Sequence, residues 1–367
     1  MNPFELPERL LLGPGPCNVS EEVRAALARP LVGHLDPAFL ALLDEVQDQL
    51  LAVFRAPAGS LALPISGTGS AGMEACLVNL LEPGETLLVA VNGVFGERMA
   101  AIGERIGARV LRVEAEMGEI VEPARLVAEI ETRRPDVVAL VHAETSTGVA
   151  QPVPEVARAA RASGALVVLD CVTSLSGMDV RMADWQVDAA YSGTQKCLAC
   201  PPGLSPLAFA PRALARLERR QRPVQSWYLD LSLIGRYFGE KRVYHHTAPI
   251  SMIYALHAAL ARVLAEGLEP RFARHRAAHE RLVAGLEALG FRMLVAREHR
   301  LPMLNTVVPP FADEAPARRR LLDEHGIEVG GGLGKLAGRV WRIGLMGENA
   351  RPEIVDRLLA AIGQLIA

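Results

Sequence analysis

Seven apolar runs of strand length, separated by amphipathic stretches of helical length, leave few folds open to this chain. The runs cover residues 61–65, 86–91, 109–113, 136–142, 165–170, 187–191 and 206–210. Their near-continuous hydrophobicity is that of strands buried on both faces, not the alternation of a half-exposed sheet. Helix candidates at 96–106, 122–131 and 154–162 lie between them. Strand, helix, strand repeated in this way predicts an α/β fold: a mostly parallel, seven-stranded sheet with right-handed crossovers and helices on both faces. Ligands of such sheets sit beyond the carboxyl ends of the strands.

The pattern changes after about residue 250. Two long helices, 250–266 and 269–289, lead into shorter strands and a terminal helix from Arg351. The expected division is an N-terminal arm (1–16), a large α/β domain (17–250) and a smaller α+β domain (251–367) on which the arm packs. A chain of 367 residues, half of them apolar, can fill two cores.

A formal charge of −3 gives no basic footprint, so nucleic acid is not an expected partner. The N-terminus carries acids and prolines where a signal peptide needs a basic start and an apolar run. The most apolar helix candidate, 251–265, is interrupted by His257 and Arg262, so no membrane span is expected and the cytoplasm is the expected location. Five scattered cysteines suggest reduced thiols. Cys197 and Cys200 match C-x-x-C, but without a second pair or a thioredoxin context they read as packing, and no metal is expected.

Only three lysines occur against thirty-six arginines, and one of them, Lys196, follows the apolar run at 187–191. A lysine amine condenses with aldehydes, which a guanidinium does not. A solvated loop lysine is the ordinary reading of such a residue by itself; its company changes that. After the first run comes Ser66-Gly-Thr-Gly-Ser-Ala-Gly-Met-Glu, a small-residue turn opening a helix to about residue 81. A helix N-terminus of this kind is an anion site. Gly67, Gly69 and Gly72 also match the dinucleotide fingerprint G-x-G-x-x-G. That motif needs an acid after the second strand for the ribose, and here Asn92-Gly93 stands there, which favours a lone phosphate. Asp170 ends the run at 165–170. It either caps the next turn through Thr173 or Ser174 or meets a cation, since a buried carboxylate needs compensation. A phosphate cradle, an aldehyde-reactive lysine and an aspartate are together what pyridoxal phosphate requires, the aspartate keeping the pyridine nitrogen protonated.

These residues carry a resemblance. The chain resembles the class V branch of the fold-type I pyridoxal-phosphate aminotransferases, most closely the alanine–glyoxylate and serine–pyruvate aminotransferases. The motifs are Gly13-Pro-Gly-Pro, Ser66-Gly-Thr-Gly with Glu74-Ala-Cys-Leu-Val-Asn, Glu144-Thr-Ser-Thr-Gly-Val, Asp170-Cys-Val-Thr-Ser, Gly193-Thr-Gln-Lys-Cys with Pro201-Pro-Gly, Tyr244-His-His-Thr and Trp341-Arg-Ile-Gly, in that order. The resemblance implies that Lys196 carries the cofactor and Asp170 partners its ring nitrogen. It implies Thr68, Gly69, Ser70 and Gln195 at the phosphate, Phe95 stacked on the ring where tryptophan is common, Thr145 near the ring oxygen and Val172 as a further contact. Ser70 stands where some relatives place histidine. Arg342 would bind the substrate α-carboxylate through two parallel hydrogen bonds, with Gly15 approaching through its backbone. Tyr244 and Thr247 would reach the cofactor phosphate of the neighbouring subunit, giving a homodimer with shared sites.

The implied reaction is a ping-pong transfer of the amino group of alanine or serine to glyoxylate or pyruvate. Alternative donors are 2-aminoethylphosphonate, ureidoglycine and pyridoxamine. A cysteine desulfurase of the same branch would carry histidine before the lysine, where this chain has Gln195. An NAD-dependent dehydrogenase rests on the glycine match alone.

Overall fold

The computed structural model describes residues 6–239 and 241–366, so residues 1–5 of the expected arm lie outside it. The seven runs form β1 (Leu61–Ser66), β2 (Thr86–Val91), β3 (Arg109–Glu114), β4 (Val137–Val141), β5 (Leu166–Asp170), β6 (Ala189–Tyr191) and β7 (Leu204–Phe209). They build one sheet in the order β1-β7-β6-β5-β4-β2-β3. The strands β2 to β6 are parallel wherever they touch, and β7 is antiparallel to both its neighbours, β1 and β6. Every residue of β2, β4, β5, β6 and β7 is buried, as their continuous hydrophobicity requires. The strand β3 differs. It is one of the two sheet edges, and only Val113 is buried, with Arg109, Arg112 and Glu114 facing water. Charges on an edge strand also block pairing with a further strand.

Residues Pro37–Phe54 form an 18-residue helix outside the strand and helix pattern expected from the sequence. Its start has a local cause, since the Asp36 carboxylate accepts from the Ala38 N–H at 2.8 Å and Pro37 occupies the first turn. Phe39, Leu43, Val46, Leu50 and Val53 recur at helical spacing and are buried in the large core.

The boundary expected at residue 250 does not coincide with the division between cores. Helix Ile250–Glu266 packs on helices Glu21–Leu27 and Pro37–Phe54, and its Ile253, Leu256, Leu260 and Val263 belong to the large core. The chain turns at Gly267, whose φ of 84° suits glycine, and helix Leu268–Ala288 leaves at 87° to its predecessor. The second core begins there. Helices Leu268–Ala288 and Pro352–Ile366 cover an antiparallel sheet of β8 (Arg292–Met293), β9 (Leu304–Val308), β10 (Gly330–Gly331) and β11 (Trp341–Gly344), ordered β8-β9-β11-β10. Leu10 and Leu12 of the arm are buried in this second core, and Leu10–Leu11 pairs in parallel with Ile327–Glu328. Among the described residues no single helix is long and apolar enough to cross a membrane.

Candidate active site

The site forms at the carboxyl ends of β1, β5 and β6, where the arm and the second domain close over the sheet. Lys196 lies in the loop after β6 and is 8 % exposed. Its Nζ donates to the Pro14 carbonyl. Burial lowers the amine pKa to about 8, the Arg342 guanidinium acts in the same direction, and Asp170 opposes it. A larger share of this amine is therefore unprotonated near neutral pH than in an exposed lysine. The chain at Gly15 runs directly over the lysine: φ is +100°, and a Cβ there would lie 2.6 Å from Lys196 Cδ. Only glycine satisfies both the backbone and the space.

Asp170 closes β5 and is 2 % exposed. Its Oδ1 accepts from the Val172 N–H at 2.8 Å, and its Oδ2 from the Tyr191 hydroxyl at 2.6 Å. The turn is thus held through Val172 and not through Thr173 or Ser174. Burial raises the carboxyl pKa to about 7, against both hydrogen bonds. An acid so placed gains from a cationic N–H partner, which a protonated pyridine nitrogen provides. Tyr191 was not anticipated. It is the cross-strand neighbour of Asp170 in the parallel β5–β6 ladder, and that register is set by tertiary structure.

Helix Gly69–Leu80 begins at the end of β1, and its N-cap Thr68 makes no side-chain cap of its own. The first-turn N–H groups are those an anion would take. A Cβ at Gly69 would come within 2.8 Å of Val172 Cγ2, and one at Gly193 within 3.4 Å of Val172 Cγ1. Val172 therefore stands between the cradle and the lysine loop. Gln195 Oε1 is buried without a hydrogen-bond partner. Turning that amide end for end presents N–H donors in the same place, the chemistry a phosphate calls for. Ser70 Oγ accepts from Arg98 at 2.8 Å, and the same guanidinium lies 5.1 Å from the Phe95 ring centroid. The amine, the acid, the helix N-terminus and the unpartnered amide fit pyridoxal phosphate. Among the described residues no group of three or more His, Cys, Asp or Glu could hold a metal. All five cysteines are free and buried, and burial pushes the Cys197 thiol up to about 12.

Arg342 reaches the site from β11 and is 7 % exposed. Nε donates to the Gly331 carbonyl at 2.7 Å and Nη1 to the Thr145 carbonyl at 3.1 Å, and among the described residues it forms no ion pair. A buried guanidinium with only carbonyl partners is prepared for an anion. Thr145 is buried, and its carbonyl joins the two domains at this point.

Among the described residues neither Tyr244 nor Thr247 hydrogen-bonds to this cluster within the chain. Both are exposed, Tyr244 to 58 %. The Tyr244 ring lies 5.3 Å from His34, and the following His245 stacks on the exposed Trp227 at 4.3 Å. His246, which the Tyr244-His-His-Thr motif contains without a role of its own, has its Nε2 3.0 Å from Ser66 Oγ and fixes the loop to the base of the cradle.

A family model described as aminotransferase class-V matches residues 19–351. The chain is 38 % identical to the alanine–glyoxylate aminotransferase of Drosophila melanogaster, across 99 % of this chain and 94 % of that protein. It is 37 % identical to the (S)-ureidoglycine–glyoxylate transaminase of Bacillus subtilis strain 168, across 97 % of this chain and 90 % of that protein. The crystal structure of alanine–glyoxylate aminotransferase from Nostoc sp. superposes with a TM-score of 0.96 at 48 % identity, covering 100 % of this chain and 97 % of that one. With family, fold and site in agreement, the chain belongs to the class-V aminotransferases.

Proposed function

We propose that this aminotransferase uses pyridoxal 5'-phosphate to move the amino group of alanine or serine to glyoxylate or pyruvate by a ping-pong mechanism. The observation that carries the reading is the convergence of a buried amine, Lys196, and a buried acid, Asp170, on one helix N-terminus, faced by a guanidinium without a carboxylate partner. The similarity to alanine–glyoxylate aminotransferases supports these substrates. The nearly equal match to a ureidoglycine transaminase supports ureidoglycine as the second donor to test.

When bound, the cofactor supplies a ring that accepts the electron pair left on the donor's Cα. The protein does the rest. The Lys196 amine holds the cofactor covalently and, once free, takes the proton from the donor's Cα. Asp170, oriented by Tyr191 and Val172, keeps the ring nitrogen protonated. Thr68, Gly69, Ser70 and Gln195 would hold the phosphate, and Phe95, Val172 and Thr145 would be the contacts of the ring. Arg342 fixes the substrate carboxylate in position and angle. A half-reaction panel tests the assignment by following the visible cofactor absorbance with each amine. Alanine or serine should discharge it fastest; response to ureidoglycine alone would transfer the reading to that donor.

Asp170→Asn should lower turnover about 10–100-fold, the scale of roughly 1.5–3 kcal/mol for a hydrogen bond to a charged group. Affinity for alanine should change little. The check is steady-state kinetics with α-deuterated alanine, where a larger isotope effect marks slower proton removal. Unchanged turnover would give the ring nitrogen to another acid.

The exposed Tyr244 and Thr247, with Trp227 and Tyr228 beside their loop, support a homodimer in which this pair reaches the partner's cofactor phosphate. Co-refolding an inactive Lys196→Ala chain with a Tyr244→Phe, Thr247→Ala chain places both defects at one end of the heterodimer. Activity should then rise above either parent, towards half of wild type per heterodimer. Heterodimers that gain nothing would mean that each phosphate is held within one chain.

A further inference from the structure

We propose that Glu144 is a positioning residue for the cofactor's stacking ring, fixing Phe95 by capping the start of its helix from a turn fifty residues away; the inference rests on the function proposed above. Helix Val94–Ile106 has Gly93 as its N-cap and so has no side chain there to satisfy its first N–H groups. The turn after β4 supplies what is missing. Glu144 Oε2 accepts from the Phe95 N–H at 3.1 Å and the Gly96 N–H at 3.4 Å, and Ser146 Oγ accepts from the Val94 N–H at 3.0 Å. The other carboxylate oxygen, Oε1, accepts from the Ser146 N–H at 3.0 Å and the Ser146 hydroxyl at 2.6 Å.

All four groups facing this fully buried carboxylate are donors. Ser146 Oγ accepts a hydrogen bond from the Val94 N–H, and its own hydroxyl hydrogen is donated to Glu144 Oε1. No acceptor remains for a carboxyl proton, and the positive end of the helix faces the charge. Burial raises the Glu144 pKa, while the hydrogen bonds from Ser146, Gly96 and Phe95 oppose it. Gly93 is required for space: its φ of 175° is ordinary extended backbone, but a Cβ would lie 2.4 Å from Glu144 Cδ and 2.5 Å from Ser146 Oγ. Between the two capping residues, the Thr145 carbonyl holds Arg342. One three-residue turn therefore contacts the start of the helix that carries the stacking ring through its side chains, and the carboxylate-binding arginine through a backbone carbonyl alone. Arg98 lies over the same ring, 5.1 Å from its centroid.

Glu144→Gln keeps the size but must turn an N–H₂ toward groups that are all donors. The apoprotein, titrated with pyridoxal phosphate, should bind about tenfold more weakly, the scale of one lost aromatic contact. The visible circular dichroism of the bound cofactor should shrink. The KM for alanine should shift less than about twofold, because Arg342 is held by carbonyls and not by this side chain. Phe95→Leu should give the same loss of cofactor affinity, and the double variant should be no weaker than Phe95→Leu alone, as coupled residues require. If Glu144→Gln does not fold, Ser146→Ala should show the same changes at smaller size. Additive losses, or a lower melting temperature with cofactor affinity and dichroism unchanged, would overturn the inference. A parent protein that binds no pyridoxal phosphate would instead overturn the function it rests on.

Discussion

Lys196→Ala should lose transamination by about four orders of magnitude or more, at or beyond the upper end of what one general base contributes, because the covalent anchor goes with it. The fold should survive. Among the described residues the lysine side chain makes one hydrogen bond, to the Pro14 carbonyl, and passes close to Gly15, and it belongs to neither large apolar core. Cofactor affinity should fall less than activity, since the helix N-terminus at Gly69 and the Gln195 amide remain. No other lysine can substitute: Lys241 and Lys335 are both exposed, one beside the Tyr244 loop and one in the second domain. The check is steady-state turnover of alanine with glyoxylate beside a pyridoxal-phosphate titration. Turnover within about tenfold of the parent would mean that another group does the proton transfer.

Arg342→Ala should lose roughly 2–5 kcal/mol of transition-state stabilisation, the scale for removing one partner of a buried, hydrogen-bonded charge pair. Alanine and serine should suffer alike in kcat/KM, because both present the same carboxylate. The variant also releases the carbonyls of Gly331 and Thr145, so its melting temperature should be followed alongside. Arg342→Lys separates the two effects. It restores a charge without the planar fork, and should recover only part of the loss. Undiminished use of both amino acids by the alanine variant would place the carboxylate elsewhere.

The parts of this site that were legible in the sequence are those marked by residue type at the end of an apolar run. Lys196 stood out by scarcity, Asp170 by interrupting the apolar character of a buried strand, and the cradle by its glycines. What stayed hidden depends on register and on backbone groups. Tyr191 meets Asp170 only because β5 and β6 pair residue against residue, and the Thr145 and Pro14 carbonyls carry no side-chain signature. The helix at Pro37–Phe54 was readable from Asp36-Pro37 and the spacing of Phe39, Leu43 and Val46, a signal overshadowed by the strand pattern that follows. The charges at Arg109, Arg112 and Glu114, within an otherwise apolar run, likewise marked an edge strand. Helix Ile250–Glu266 shows why boundaries are harder than elements. Its apolar face is evident, but which core receives it is decided by packing on helices distant in sequence.

The central claim is that one lysine holds the cofactor, and borohydride reduction of the purified holoenzyme followed by peptide mapping tests it most directly. A single phosphopyridoxyl label is expected, on the peptide containing Lys196. A label on Lys241 or Lys335 would contradict it.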